Sequence, residues 1–256
     1  MKPILFNIEM VRAILDGRKT VTRRVVKPQP DRVYSGGNVE LRCHTDGPHK
    51  GEWHCYRESP PLDKVLNSPW GGQIIPPVFV GDILYVRETW NYGYIESSDA
   101  ELSTECWFEG QWKASDELIS AQSRYYYKAG CDPDLLTFMK WRPSIHMPKE
   151  AARIFLRVTD VRAERLHDMT EDDVCAEGAE KIINSCEHMD FSVEPPEPCY
   201  NASPCKDCII DYSYPELFGK MVWDSTIKKN DLARYGWEAN PWVWVIEFER
   251  MGRDSL

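Results

Sequence analysis

The chain has 256 residues, 42% of them hydrophobic and 28% charged, which is typical of a globular protein with a substantial core. Its net charge of −10 argues against broad, non-specific binding to nucleic acid, and no apolar run approaches the length of a membrane span. The early acidic residue of the N-terminal segment argues against a signal peptide, so we expect a cytoplasmic protein. The chain has nine cysteines, and in a cytoplasmic protein this odd number argues against a disulfide framework.

Helices and strands are predicted from hydrophobic periodicity and from end signals. Near the N-terminus we expect a strand at 3–6, a helix at 8–15 and a β-rich segment at 20–26. Residues 28–77 are rich in Pro, Gly, His and Asn, and we expect little regular structure there. Further along the chain the patterns predict strands at 82–90, 124–129, 153–166 and 242–251, a hairpin about Glu109-Gly110, and helices at 170–177 and 215–228. Few helices among dispersed strands predict an α+β fold around a curled, mostly antiparallel sheet.

The charge is unevenly distributed along the chain. Residues 1–32 carry a net charge of +5, whereas residues 160–200 carry −9. A basic region on an acidic protein suits a small anionic or nucleotide-like ligand better than a long duplex. The alternative is that the two regions pair with each other.

The segment Gly17 to Arg24 reads GRKTVTRR and concentrates reactive side chains directly after the predicted helix. A lysine beside a threonine hydroxyl is a candidate activated nucleophile, and neighbouring arginines can hold phosphate or carboxylate. In an extended strand alternate side chains share a face, so a bend near Thr20 is needed to bring Lys19 and Thr22 together. The alternative is a surface hairpin with solvated charges.

Four stretches, which come in family order, and a fifth that lies between the second and third of them resemble the ASCH domain family, a relative of the PUA fold. They are GRKTVTRR, the strand GDILYV at 81–86, the acidic helix MTE at 169–171 with AEG at 176–178, the strand VWVIEF at 243–248, and WRPSIHMP at 141–148. The last stretch is similar to that of larger phage and prophage members. The resemblance implies one PUA-like domain over 1–256, a curled and mostly antiparallel β-barrel with a few helices and long insertions near 28–77, 91–123 and 181–212.

The resemblance also implies a function, because small ASCH proteins include amidohydrolases that remove the acetyl group from N4-acetylcytidine. It assigns the catalytic roles to Lys19, Thr22 and Glu177. The chemistry is consistent: Thr22 attacks the carbonyl, Lys19 with a lowered pKa acts as base, and Glu177 orients Lys19. No catalytic cofactor is implied. Thr22 as a plain strand residue and Glu177 as a solvated helix acid are the alternatives.

A second set of residues is expected to bind the ligand. It comprises Arg18, Arg23, Arg24, Glu88, Trp90, Ser144 and His146. The arginines suit an anionic group, and Trp90 can stack on a nucleobase. His146 stands with Ser144 on a loop fixed by two prolines and can hydrogen-bond a base or phosphate. The alternatives are an ordinary polar rim of Arg87 and Glu88 at the end of a strand, a core position for Trp90 and a structural histidine.

Four cysteines at 186–208 form a candidate metal site, with the pair Cys205 and Cys208 at the spacing of a metal knuckle. Together with Cys186 and Cys199 they could hold a structural zinc ion by four thiolates. A reduced, flexible loop is the alternative.

The sequence therefore predicts an RNA- or nucleoside-binding ASCH protein with amidohydrolase activity on N4-acetylcytidine and no membrane partner. Two other functions stay open. One is a non-catalytic module that binds RNA or a modified base, and the other is a phage accessory protein that binds a host partner. The oligomeric state is not predicted.

Overall fold

A computed structural model describes residues 1–30, 39–46, 48, 50–57, 73–97, 104–108, 124–131, 140–179, 189–190, 197–198 and 213–252. Within these residues no helix combines the length and apolar character needed to cross a membrane. Chain contacts divide the protein into two compact units. Unit 1 is Met1–Gly17, Asp82–Arg157 and Arg250–Leu256, and unit 2 is Arg18–Gly81 and Val158–Glu249. One domain over 1–256 stays a prediction.

The fold is a mixture of α and β structure with one mixed five-stranded sheet. The strands are β1 (Lys2–Leu5), β2 (Val21–Val25), β3 (Val39–Cys43), β4 (Trp53–Arg57), β5 (Gln73–Ile74), β6 (Ile83–Arg87), β7 (Trp90–Ser97), β8 (Thr104–Phe108), β9 (Arg124–Tyr127), β10 (Phe155–Arg165), β11 (Met189–Asp190), β12 (Glu197–Pro198) and β13 (Trp242–Arg250). The large sheet has the order β1-β6-β10-β13-β2, and the small sheets are β3-β4-β5, β8-β7-β9 and β11-β12. The described strands form no closed barrel, so the curled barrel that we expected is not confirmed.

In unit 1, β1 pairs with β6 in parallel, and β6 pairs with the start of β10 in antiparallel fashion. Helix α1 (Ile8–Leu15) follows β1 and begins at Asn7, whose side chain caps it by accepting the Met10 amide. It buries Val11 and Ile14, which are three positions apart on one face, and also Ala13. β7 is the central strand of the second sheet, between β8 and β9.

In unit 2, β2 pairs antiparallel with β13, with Thr22 opposite Ile246 and Arg23 opposite Val245. Residues 242–246 are all buried, which makes β13 the apolar centre of this unit. Helix α2 (Glu171–Ala176) is short and begins at Thr170. Helix α3 consists of an α-helical turn Tyr214–Leu217, a π-helical turn Phe218–Trp223 and a last turn Asp224–Thr226, and α4 is Leu232–Tyr235.

Most of the predicted elements are present, with one clear correction. The first helix and the Thr170 cap are confirmed, as are strands within 153–166 and 242–251. The expectation of little regular structure at 28–77 was wrong, because β3, β4 and β5 form an antiparallel sheet there. Of the predicted hairpin at 106–112, Cys106 lies in β8 and pairs with Ile95 of β7, and positions 109–112 lie outside the described residues, so the hairpin stays a prediction.

The π-helical turn of α3 is fixed by a close approach between Gly219 and Trp237. A Cβ atom placed on Gly219 would lie 2.1 Å from Cδ2 of the Trp237 ring. The Trp237 side chain is buried, and its backbone amide donates to Asp224 Oδ1 at 2.7 Å. The ring therefore has little freedom to move away, and only glycine fits at position 219.

We expect Gly219→Ala to lower the free energy of unfolding by about 1–3 kcal/mol, because overpacking forces a rigid ring and the helix apart. Lys220→Ala is the matched control, since this neighbouring exposed side chain should change stability by no more than about 0.5 kcal/mol. Urea unfolding followed by circular dichroism measures both. Equal stability of the two variants would contradict the steric argument.

Candidate active site

Lys19 lies in unit 2, in the short irregular segment before β2, and the backbone there is held by hydrogen bonds of the neighbouring Thr20. The Thr20 amide donates to the Ala176 carbonyl at 2.9 Å, and the Thr20 carbonyl accepts the Phe248 amide at 2.9 Å. Thr20 is thereby held between the end of α2 and β13. Because Ala176 directly precedes Glu177, this pairing brings Lys19 next to Glu177 although 158 positions separate them in the sequence.

The Lys19 ammonium group is surrounded by three acceptors. It donates to Glu177 Oε2 at 2.5 Å, to the Glu177 backbone carbonyl at 2.9 Å and to the Val21 carbonyl at 2.8 Å. The lysine side chain is 0% exposed and the glutamate side chain 3% exposed. A buried ammonium needs this many acceptors, because each unpaired donor would cost free energy in an apolar environment.

Burial lowers the pKa of Lys19 below its ordinary value of 10.5. The Glu177 carboxylate opposes this shift by its charge and its hydrogen bond, while the positive charges of Arg24 and Arg23 add to it. Burial away from water destabilises the ammonium form of Lys19 more than the single Glu177 carboxylate stabilises it, so the net shift of the pKa is downward. Lys19 is thus closer to a neutral amine, the form that accepts a proton, than a lysine in water.

Thr22 is the second residue of β2 and is buried, with 1% of its surface exposed. Alternation along the strand places its side chain on the sheet face opposite to that of Arg23. Lys19 contacts the carbonyl of Val21, whose carbon is bonded to the Thr22 nitrogen. The structure therefore brings the Lys19 ammonium to the Glu177 carboxylate and to the backbone of Thr22.

Arg23 lies on the other side of the same carboxylate. Its Nη1 is 3.5 Å from Glu177 Oε1, and its Nη2 is 2.7 Å from Asp173 Oδ1 and 3.7 Å from Glu164 Oε2. The 2.7 Å contact is an ion pair by distance without the alignment of a hydrogen bond, and Nε has no acceptor among the residues described. The guanidinium group is 1% exposed. It is a buried cation with three carboxylate neighbours.

Two further arginines of the motif border the site. Arg18 donates from Nη1 to the Gly178 carbonyl at 3.1 Å, just after α2. Arg24 is half-buried, and burial lowers its pKa while the Glu177 carboxylate opposes that shift. The contact of Arg18 and Arg24 with a ligand stays a prediction.

Helix α2 presents Glu177 because its two ends are well defined. Thr170 Oγ1 accepts the Asp173 amide at 3.2 Å and donates to Asp173 Oδ2 at 2.7 Å, and the Thr170 amide donates to the same oxygen at 2.9 Å. This reciprocal cap fixes the first turn. Glu177 is the C-cap, and Gly178 follows with φ of 72°, which favours glycine at a helix end.

Two acidic partners of Arg23, Asp173 and Glu164, were missed in the sequence analysis, as was Arg162, which approaches the same two carboxylates. Arg162 on β10 contacts Glu164 at 2.5 Å, Asp160 at 3.1 Å and Glu247. A signal was present, because charged residues at every second position from 160 to 164 share one face of a strand. Their pairing with β2 and α2 depends on the tertiary fold.

The other predicted binding residues belong to unit 1. Glu88 is buried and accepts two hydrogen bonds from Arg153, at 2.8 and 2.9 Å, in a bidentate pair. Trp90 packs in the core with Met147. The structure brings these residues together around an ion pair and a small apolar core.

Ser144 and His146 begin and end a 3₁₀ turn in the same unit. Ser144 is half-buried and His146 is exposed. The ligand-binding roles of Glu88, Trp90, Ser144 and His146 stay predictions.

The predicted zinc ligands Cys186, Cys199, Cys205 and Cys208 lie outside the described residues, so the zinc site also stays a prediction. Among the residues that are described, no group of three or more His, Cys, Asp or Glu side chains could hold a metal ion.

Comparisons of the chain with protein-family models, with curated proteins and with solved structures each found no match.

We expect Thr170→Ala to lower the free energy of unfolding by about 1 kcal/mol, because the N-cap of α2 is lost. The Thr170 and Arg23 contacts outweigh burial and lower the pKa of Asp173. A carboxylate with a lowered pKa stabilises the fold above its unfolded pKa of about 3.9, and this contribution is lost as the pH falls through the folded value. The deficit of Thr170→Ala should therefore be larger at pH 7 than near pH 3.

Urea unfolding at the two pH values measures this, with Thr170→Ser as the control that keeps the hydroxyl. A Thr170→Ser variant as unstable as Thr170→Ala, or a deficit that grows on acidification, would contradict the cap assignment.

Proposed function

We propose that this chain is an ASCH-like amidohydrolase that removes the acyl group from N4-acetylcytidine or a related N4-acylated cytidine. The observation that carries the proposal is the buried pair of Lys19 and Glu177 beside the backbone of Thr22. A lysine with a lowered pKa in contact with a buried carboxylate is costly as a structural element, and such groups concentrate at catalytic sites.

The residues can divide the reaction as follows. The Thr22 hydroxyl attacks the acyl carbon, and its proton passes to the neutral Lys19 amine. Collapse of the tetrahedral intermediate breaks the bond between the acyl carbon and N4, and Lys19 returns the proton to the leaving N4 amine. Water then hydrolyses the threonine ester with Lys19 again as the base, which yields the free acid and restores Thr22.

Glu177 orients the amine throughout and stabilises the ammonium form that appears after each proton transfer. Because Lys19 and Thr22 are both buried, entry of the substrate requires that neighbouring side chains move apart.

The family and its PUA-like fold are part of this proposal. They are supported by the juxtaposition of two motifs far apart in the sequence, GRKTVTRR and the acidic helix that ends at Glu177. The proposal also includes a structural zinc ion that takes no part in the reaction and is held by Cys186, Cys199, Cys205 and Cys208.

A second function is favoured by the burial of the same pair. Lys19 and Glu177 satisfy one another, and Thr22 lies on the sheet face opposite to Arg23. These features suit a non-catalytic module in which the pair stabilises the fold and binding of RNA or a modified base occurs elsewhere. The two functions differ in whether the purified protein turns over substrate.

We expect the wild-type protein to convert N4-acetylcytidine to cytidine and acetate. Chromatography of the reaction mixture over time measures this conversion. Thr22→Val removes the hydroxyl at nearly constant volume and should lower kcat by at least about a hundredfold. Lys19→Arg keeps the positive charge but has no accessible neutral form, and it should be similarly inactive. Thr22→Ser should retain measurable activity.

Thr20→Val is the matched control, because Thr20 is an exposed hydroxyl two positions away in the same segment. It should keep the wild-type rate, and circular dichroism should show that all variants are folded. No turnover by the wild type supports the binding module, and a wild-type rate in Thr22→Val rules out Thr22 as the nucleophile.

A further inference from the structure

Arg23 and Arg24 are adjacent in the motif, yet the pairing of β2 with β13 puts them on opposite faces of the sheet. Arg23 lies opposite Val245, and Arg24 lies opposite Trp244. Arg23 extends over the face on which the acidic residues of α2 and β10 gather. The two arginines therefore have different environments.

The carboxylate of Glu177 is held at both oxygens by different cations. Lys19 contacts Oε2 at 2.5 Å, and Nη1 of Arg23 is 3.5 Å from Oε1. A carboxylate fixed at one oxygen can still rotate about its last side-chain bond, whereas contacts at both oxygens define its plane. Arg23 thus restricts the orientation of the group that faces Lys19.

The positive charge of Arg23 is itself compensated by other residues. Asp173 lies 2.7 Å from Nη2, and Glu164 lies 3.7 Å from the same nitrogen. Both carboxylates also approach Arg162, with Glu164 at 2.5 Å from Nε and Asp173 at 3.9 Å from Nη2. Charges of alternating sign thus run from Lys19 through Glu177 and Arg23 to the strand β10.

We propose that Arg23 is a positioning residue that orients Glu177 toward Lys19, and that Asp173 regulates this role by neutralising Arg23. The proposal deepens the site of the proposed function and rests on that function only for its effect on turnover. The ionisation of Lys19 reports on the arrangement whether or not the protein is an enzyme.

The charges that affect the pKa of Lys19 are those of Glu177, at the end of α2, and of Arg24 and Arg23, on β2. Glu177 favours the ammonium form, and the two arginines disfavour it. Removing the charge of Arg23 should therefore raise the pKa of Lys19. Removing the charge of Asp173 leaves Arg23 less neutralised and should lower it. Opposite shifts from two residues in mutual contact are specific to this arrangement.

The test compares the titration of Lys19 in Arg23→Met, Arg23→Lys, Asp173→Asn and Asp172→Asn. Protein labelled with ¹³Cε-lysine is titrated by NMR, and the Lys19 signal is assigned by its absence in Lys19→Arg. Asp172 is the matched control, because it is an exposed acid one position away on α2 and its replacement makes the same change in charge.

We expect the Lys19 midpoint to rise in Arg23→Met and to fall in Asp173→Asn, each by about half a pH unit or more. Asp172→Asn should move it by clearly less. Arg23→Lys keeps the charge but cannot span two carboxylates, so Glu177 is less well oriented toward Lys19 and the Lys19 midpoint should fall below that of the wild type. In an active protein Arg23→Lys should lower kcat with little change in KM.

Shifts of the same sign in Arg23→Met and Asp173→Asn, or shifts no larger than that of Asp172→Asn, would overturn the proposal. Should Arg23→Met fail to fold, the comparison of Asp173→Asn with Asp172→Asn decides. A wild-type protein without turnover contradicts the proposed function and leaves the titration test intact. If the wild-type protein turns over substrate but the Lys19 midpoint does not move in Asp173→Asn, the proposed role of Arg23 is rejected and the proposed function is not.

Discussion

Removing the Lys19 ammonium from water is the constraint on which the geometry of unit 2 depends. An isolated buried cation is too costly to persist, so its partners must be placed by the backbone rather than by flexible side chains. Two of its acceptors are backbone carbonyls, those of Val21 and Glu177. The Thr20 amide bonded to Ala176 holds these carbonyls in place. The segment before β2, the end of α2 and Phe248 of β13 are therefore held together by the backbone bonds of Thr20 and by the buried pair of Lys19 and Glu177.

Local signals in the sequence predicted the elements that carry this site. The apolar spacing of α1 and its capping residue are contained within a few positions, and so is the reciprocal pairing of Thr170 with Asp173. The meeting of Lys19 with Glu177 could not be predicted from such spacing, because 158 positions separate them. Only the order of motifs in the ASCH resemblance suggested it. The network of Arg23 with Glu164 had no counterpart in that resemblance and depends on the tertiary fold, because β13 lies between β2 and β10 in the sheet.

The elements that sequence analysis missed are held by contacts between distant residues. β3 and β4 are short strands in a segment rich in glycine, proline and polar residues, so hydrophobic periodicity did not predict them. They are defined by antiparallel backbone pairing, such as that of Leu41 with Cys55. The π-helical turn of α3 depends on the ring of Trp237, 18 positions beyond Gly219. A helix was predicted there correctly, but its widened turn reflects packing that propensity does not encode.

The pairing of charges also bears on which ligand suits the proposed site. The basic N-terminal region and the acidic region after residue 160 were expected either to form a basic binding surface or to pair with each other. In unit 2 they pair, since Lys19 and Arg23 contact Glu177, Asp173 and Glu164. Cations already neutralised by carboxylates attract a phosphate backbone weakly, and the nearby acids repel it. Within the proposed function, this arrangement favours an uncharged nucleoside over a polyanionic RNA as the group that reaches Lys19.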